Sequence, residues 1–359
     1  MRKIIILLLT SFVFTLNAQS QGCVLVHNIS GLGPYNLTYN TATPEWQLNI
    51  TNRYFKSVRN YIETIDQKTP KQNQPNIESF STTISVNRNM KNGWSFNLGV
   101  PISSNSFTSS LEHGGPNTKR HTLHSFGVGD IRFTAYKWLL PPAVTRGNIQ
   151  LGLGIKFPTG DYKYQDYYYR NDSTKILSTA VPSVQLGDGG TGIVTELNFF
   201  YDLNNKGNIK LYGNFHYLLN PREQTGVSLT AGHIPSRIDS LAGNIIVSVP
   251  DQFSLRFGAM ASVSHWTFSA GIRNEGEPVH DLIGGSEGIR RAGHYFSIEP
   301  GINYTFKNIS IYAYVPVIVA RRIKQTVPDQ NKTRITGVYT MSTGTSANYL
   351  VFAGLAFKL

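Results

Sequence analysis

Along much of the chain apolar and polar residues alternate one by one, the period of a strand with two unlike faces. Residues 89–101, NMKNGWSFNLGVP, show the pattern plainly. After a turn-forming run, Trp94, Phe96, Leu98 and Val100 alternate with Ser95, Asn97, Gly99 and Pro101. Twelve such segments are predicted, near 46–54, 79–89, 94–103, 126–139, 149–158, 193–203, 208–218, 252–261, 266–274, 294–306, 309–320 and 348–359. Most approach the ~9–11 residues that a tilted strand needs to cross a membrane. No helical periodicity of useful length competes with them.

Alternation alone leaves open a soluble sandwich, apolar inward, and an outer-membrane barrel, apolar toward lipid. The connections discriminate. Asn89 to Gly93, Pro141 to Gly147, Asn204 to Gly207, Ser262 to His265 and Lys307-Asn308 are short turns, and they alternate strictly with much longer connections. Long structureless loops are uncommon in compact soluble domains, whereas short turns at one end and long loops at the other belong to bacterial barrels. The expected fold is therefore all-β: a single antiparallel transmembrane β-barrel of about 12 strands (12–14), with short periplasmic turns and long extracellular loops. Trp94, Phe96, Leu98 and Val100 then face lipid, and Ser95, Asn97 and Gly99 face the lumen.

In that topology Trp46, Trp94, Trp138 and Trp266 all fall at the periplasmic rim, where an interfacial belt of indoles is expected. Pro101, Pro158 and Pro316 fall near the outer rim on the lumen-facing parity, where proline is expected to stop strands. The same parity makes Asp130, Arg132, Lys156, Glu196, Lys210, Arg256, Arg273 and Glu299 lumen-lining. Such mixed charges either pair across the barrel or leave a cationic excess that favours anions. Twelve strands sit between filled and open barrels, so the pattern decides neither.

The ends of the chain add three expectations. Met1-Arg2-Lys3, the apolar run from Ile4 to Leu16 and Ala18-Gln19-Ser20 read as a secretory signal peptide over 1–20. Residues 21–45 are expected to form a periplasmic or plug-like segment, and 46–359 the barrel. The last strand carries Tyr349, Val351, Leu355, Phe357 and Leu359 on one face. Its ending, Gly354-x-x-Phe357-x-Leu359, resembles the signal read by barrel-assembly machinery, an expected partner.

Composition supports a membrane location. Of 359 residues only 15% are charged, against roughly 25% in a typical soluble domain, and 12% are aromatic. The net charge of +12 is not gathered into a basic helix or dense run, so no nucleic-acid partner is expected. Outer-membrane lipids and a small-molecule solute are the expected partners. The single cysteine, Cys23, excludes an intramolecular disulfide. It lacks the leucine three positions upstream that a lipid-anchored cysteine carries, and reads as incidental. The nine histidines show no metal-ligand spacing, so neither metal nor cofactor is expected.

Two motifs match catalytic patterns by letter only. Gly284-Gly285-Ser286-Glu287-Gly288 fits G-x-S-x-G but lies in a glycine-rich loop, not at a strand-to-helix elbow. Gly187-Asp188-Gly189-Gly190-Thr191-Gly192 fits G-x-G-x-x-G, yet a strand follows instead of a helix. No catalytic residue is assigned. Two loop clusters are candidates for binding. Tyr162, Tyr164, Tyr167, Tyr168 and Tyr169 form a tyrosine-rich segment that could capture substrate at the outer mouth, or serve only as girdle and loop packing. His280, Asp281, Arg290 and Arg291 form the densest polar cluster, either an anion site or a self-paired loop.

Five segments carry a family resemblance: Asn92-Gly93-Trp94 with Val100-Pro101; Gly127-Val128-Gly129-Asp130-Ile131; the run from Gly152 to Asp161, ending Phe157-Pro158-Thr159-Gly160-Asp161; and Gln185-Leu186-Gly187-Asp188-Gly189. They resemble the outer-membrane proteins named for the MetA pathway of phenol degradation, related in architecture to FadL-type transporters of hydrophobic compounds. The resemblance implies a barrel with a transport role and transfers no catalytic residues. The expected function is passive passage of small aromatic or hydrophobic compounds. A barrel-borne lipid hydrolase and a structural or adhesion barrel are the rival readings.

Overall fold

A computed structural model describes residues 44–141, 145–171, 173–230 and 234–359. The expected signal peptide, Cys23 and residues 21–43 of the expected plug-like segment lie outside the described residues.

Twelve antiparallel strands close into a barrel. They are β1 (Glu45–Ile62), β2 (Asn76–Asn89), β3 (Trp94–Ser109), β4 (in two pieces, His121–Val128 and Arg132–Trp138), β5 (Gly147–Lys156) and β6 (Gly192–Asp202). The rest are β7 (Ile209–Leu219), β8 (Gln252–Val263), β9 (Trp266–Glu277), β10 (Gly293–Phe306), β11 (again in two pieces, Ile309–Tyr314 and Val317–Ile323) and β12 (Gly344–Lys358). β12 pairs with β1 on one side and β11 on the other, so the sheet closes on itself.

Outward positions are predominantly apolar along the membrane-crossing strands. On β5, for example, Ile149, Leu151, Leu153 and Ile155 are exposed while Asn148, Gln150 and Lys156 are buried. That inversion is what a lipid solvent selects. β1 runs eighteen residues, well beyond the expected 46–54, because its upper part leaves the membrane still paired with β2 and β12. The extracellular connections carry local structure of their own. A hairpin pairs Gln165–Tyr169 with Lys175–Thr179. Two short helices follow: α1 (Arg237–Ala242) and α2 (Val327–Thr336), the latter opened by a capping box of Thr326 and Asp329.

Each expected proline marks an irregularity. Pro316 separates the two pieces of β11, and Pro158 follows the end of β5. Pro101 departs from expectation: β3 continues past it to Ser109, and the break falls on its neighbour β4, at residues 129–131. Pro101 has no N–H to donate, so only its carbonyl holds β4 there, accepting from Gly129 N–H at 2.8 Å. The strand expected as a continuous 126–139 is thus interrupted, and its outer piece begins earlier, at His121.

Trp138 is a second correction. Trp46, Trp94 and Trp266 are 48%, 45% and 44% exposed, but Trp138 is 6% exposed. It has the inward parity of Tyr136 and packs edge-on against Phe200 at 5.6 Å. It therefore closes the barrel's periplasmic end from inside and takes no part in the outer belt.

Candidate functional site

The lumen is layered. Nearest the periplasm, amides on adjacent strands hydrogen-bond side by side, Asn214 donating to Asn198 at 2.6 Å and Asn198 to Gln150 at 3.0 Å, while within β1 Gln47 donates to Asn49 at 3.0 Å. Trp138, Phe200, Tyr212 and Met260 fill the space among them, all nearly inaccessible. Lys210 lies at this end, apart from the other expected lumen charges, paired with Asp202 at 2.9 Å.

Above this lies a charged layer. Arg256 Nε donates to Glu299 at 3.1 Å, while Arg273 bridges Glu299 at 3.4 Å and Glu275 at 2.6 Å. On the neighbouring strands Glu196 accepts from the Tyr136 hydroxyl at 3.2 Å and faces His216 Nδ1 at 3.1 Å. All of these groups are buried, and buried ions persist only when so paired. Within this layer the charges pair with one another.

The third expected group, Asp130, Arg132 and Lys156, gathers at the break in β4. Lys156 lies 3.8 Å from Asp130 and binds Asp188 directly. Asp130 accepts from Gly160 N–H at 3.0 Å and Asp188 N–H at 3.2 Å. Thr159 bridges the gap in the strand, its hydroxyl donating to Gly129 O at 2.8 Å and accepting from Ile131 N–H at 2.9 Å. Three of the segments that carry the family resemblance, around Asp130, Thr159-Gly160 and Gly187-Asp188, thus meet at one knot in the wall. Glycine is required here. A Cβ on Gly187 would stand 2.5 Å from Asp130 Oδ1 and 2.7 Å from Gly160 O.

Beyond the knot the wall changes. β5 ends at Lys156, and the outer piece of β4 pairs only with β3. On its other side His124 N–H finds the Asp166 carboxylate at 2.7 Å instead of a strand. The connection that leaves β5 turns inward, and Ser125 donates to Val184 O. Ala180, Val181 and Val184 enter an apolar cluster with Phe55, Ile77, Phe107 and Leu123 from the inner faces of β1–β4.

Between this inserted segment and the loops before β8 and β10 lies a cavity of about 80 Å³. Leu186, Val227, Leu229, Val247 and Ile289 give it apolar walls, and Arg132, Lys156, Asp188, Glu277, Arg290 and Arg291 supply its charged groups. Arg290 is held by Asp281 through two bonds of 2.7 Å, wholly buried, and also donates to Ser248 at 2.6 Å. His280, expected in the same cluster, is exposed and away from the cavity lining.

The five tyrosines do not act as one surface. Tyr162 lines the cavity beneath Arg222, 5.5 Å from its ring. Tyr168 is buried in the apolar cluster, Tyr169 stacks on His121 at 3.9 Å, and Tyr167 faces outward under Lys175. Strand alternation in the hairpin splits the last three between faces. Burial raises the Tyr168 hydroxyl well above its ordinary value.

Several cavity and lumen groups were absent from the sequence expectations: Asp188, His216, Glu275 and Arg53. His216 and Arg53 were available from parity, two residues from inward Asn214 and opposite in phase to outward Trp46. Glu275 lay just past an expected strand end, and Asp188 in a loop has no parity to read. Ser254 pairs in register with His216 beside Glu196, a Glu-His-Ser sequence across adjacent strands. Ser254 Oγ and His216 Nε2 are buried without hydrogen-bond partners, so no nucleophile–base contact exists there.

No family model matches the chain, and no curated protein matches it. Among solved structures, an outer-membrane channel of Pseudomonas putida is similar over 89% of this chain and 97% of its own, at 9% identity and a TM-score of 0.55. More distant likenesses are a FadL homologue of Pseudomonas aeruginosa (90% of this chain, 92% of its own, 10% identity, TM-score 0.42). Another is the translocator domain of the autotransporter NalP of Neisseria meningitidis (91% and 92%, 9% identity, TM-score 0.46). At such identities a likeness speaks to architecture alone, and the first of the three carries it: the chain has the fold of an outer-membrane β-barrel.

Proposed function

We propose that the protein is an outer-membrane channel that takes small, largely apolar solutes from outside into the cavity above the knot and passes them sideways toward the bilayer. The observation that carries this reading is the placement of the cavity. It lies beside the interrupted stretch of wall between β4 and β5, while the lumen beneath it is filled by the charged layer and the amide ladder. A solute moving straight down would have to separate buried ion pairs, whereas one moving sideways meets apolar side chains and neutral or singly charged loop hydrogen bonds, those of His124 with Asp166 and Ser125 with Val184 among them. Apolar walls with a few charged groups suit a small aromatic or aliphatic body bearing one polar end. In this role Arg132 and Lys156 orient that polar end and Tyr162 covers the cavity; Asp130, Glu196, Lys210, Arg256, Arg273 and Glu299 keep the lumen shut to ions.

Ion conductance of the refolded barrel in planar bilayers, together with uptake of the hydrophobic dye 1-N-phenylnaphthylamine by cells producing it, tests the proposal. The expected result is little steady conductance with dye uptake faster than in cells lacking the barrel. Large, stable conductance steps would make it a straight-through porin instead. A silent barrel that leaves dye uptake unchanged would sink the transport reading and favour a structural or adhesive role.

A further inference from the structure

A basic patch on the lipid-facing side of β10 and β11 has no part in the cavity. His294 and Arg322 are register partners on adjacent strands and both point outward, and Lys324 follows on the same side as its N–H bonds Ala292 O at 2.9 Å. Arg322 and Lys324 are exposed, and among the described residues neither has a carboxylate within ion-pair distance. Beside His294 on β9 stands Gly276, its register partner, which sets no side chain of its own against the imidazole. Arg321, one residue away, has the opposite orientation and lies over the Tyr61 ring at 4.5 Å, leaving the outward side to the three basic groups.

Height gives the patch its meaning. Outward apolar residues run up β10 from Phe306 through Ile302 and Ile298 to Phe296, and up β11 to Val319. At ~3.4 Å per residue and ~40° tilt the ten steps from Phe306 to Phe296 rise ~26 Å, close to the ~25 Å apolar band of such barrels. His294, Arg322 and Lys324 begin where that band stops. The short turns, and Trp46, Trp94 and Trp266 with them, lie at the opposite end, so this is the outer leaflet's headgroup level.

We propose that His294, Arg322 and Lys324 form a binding site for the phosphate groups of the glycolipid that makes up the outer leaflet. Two unpaired cations and an imidazole at headgroup height, facing lipid and above a wall that accepts acyl chains, complement a phosphorylated lipid whose tails lie along β10 and β11. A guanidinium and an ammonium both donate charge-assisted hydrogen bonds to phosphate oxygens, and several basic side chains at a membrane surface act together. The site is independent of transport through the cavity.

The test is native mass spectrometry of the folded barrel in detergent with added lipid A, comparing wild type, Arg322→Gln with Lys324→Gln, and a control pair at the opposite rim, Lys206→Gln with Lys307→Gln. Folding of each is checked by its heat-modifiable gel shift. Wild type and the control are expected to retain bisphosphorylated lipid A alike, and the outer-rim variant about tenfold less. Equal retention by all three overturns the proposal. So does equal retention of dephosphorylated lipid A by wild type. Equal retention of phosphatidylglycerol overturns the assignment to the outer-leaflet glycolipid in favour of a general phosphate site.

Discussion

Two arcs of the same wall are built on opposite plans. From β6 to β10 every strand pairs with its neighbour residue for residue, without a register shift. From β3 to β5 the ladder is broken at residues 129–131, and side chains of Thr159, Asp130 and Asp166 take over hydrogen bonds that a strand would supply. The regular arc encloses Arg256, Arg273, Glu275 and Glu299, groups that bind one another. The broken arc encloses Asp130, Lys156 and Asp188, whose partners come from a loop, and the cavity opens beside it. Continuity of the ladder holds the barrel together; its interruption makes room for a site. A lower local stability is expected where this ladder is interrupted, between β3 and β5.

The comparison is tested most severely by removing one carboxylate from each arc. Glu299→Ala leaves two buried guanidinium groups short of their shared partner, and about 3–5 kcal/mol of stability is expected to be lost in urea unfolding. Asp130→Ala leaves Lys156 still bound to Asp188, so roughly 1–3 kcal/mol is expected, with the loss confined to the loop. Equal global losses for the two would erase the distinction between the arcs.

A methyl group sharpens it further. Gly187→Ala places a carbon against Asp130 and the Gly160 backbone, neither of which can withdraw. The inserted segment 180–190 should become cleavable by added protease at least about tenfold faster, with the urea midpoint of the barrel little changed. In the regular arc Gly213→Ala meets the outward ring of Phe199, which can swing into lipid. It should alter neither readout, and matching effects from the two substitutions would count against a local knot.

The smallest expected effect is a pH response in the loop after β3, which packs on the hairpin. Burial pushes the Glu112 carboxyl up to about 7 and the His113 imidazole down to about 4. His113 Nδ1 accepts the Tyr169 N–H at 3.0 Å, which requires the neutral ring. Glu112 therefore stabilises the loop fully below its ordinary value near 4.5 and loses that contribution as pH rises toward 7. His113 does the reverse, contributing fully above 6.5 and losing it as pH falls toward 4. Between about 4.5 and 6.5 the two slopes oppose and the wild-type loop should respond little. Protection of the loop amides, taken relative to their intrinsic exchange rate at each pH, should fall on acidification in Glu112→Gln, and on raising the pH in His113→Asn; pH-independent protection in both variants would remove the assignment.

Much of this architecture was legible from residues two apart. Period-two alternation located all twelve strands, and the short turns at Asn89–Gly93 and Lys307-Asn308 set their order, because both are local consequences of strand geometry and turn chemistry. Parity also brought Asp130, Arg256, Arg273 and Glu299 inside. Residue type misled at Trp138: an indole near the rim suggested the belt, but counting from outward Phe133 places it inward. The tyrosine segment failed for a related reason. Composition brings five rings together in sequence, while a hairpin sends neighbours to opposite faces.

What the chain determined by itself is the barrel: strand number, the face each strand shows to lipid and the end that holds the turns. Those follow from backbone hydrogen bonding in a medium without water, which each strand pair satisfies locally. Only the tertiary structure decided that Pro101 breaks β4 and not its own strand, that Gly160 and Gly187 lie against Asp130, and that His294, Arg322 and Lys324 share one height. Those contacts join residues tens of positions apart. Their energies depend on distance in space, and no period along the sequence encodes it.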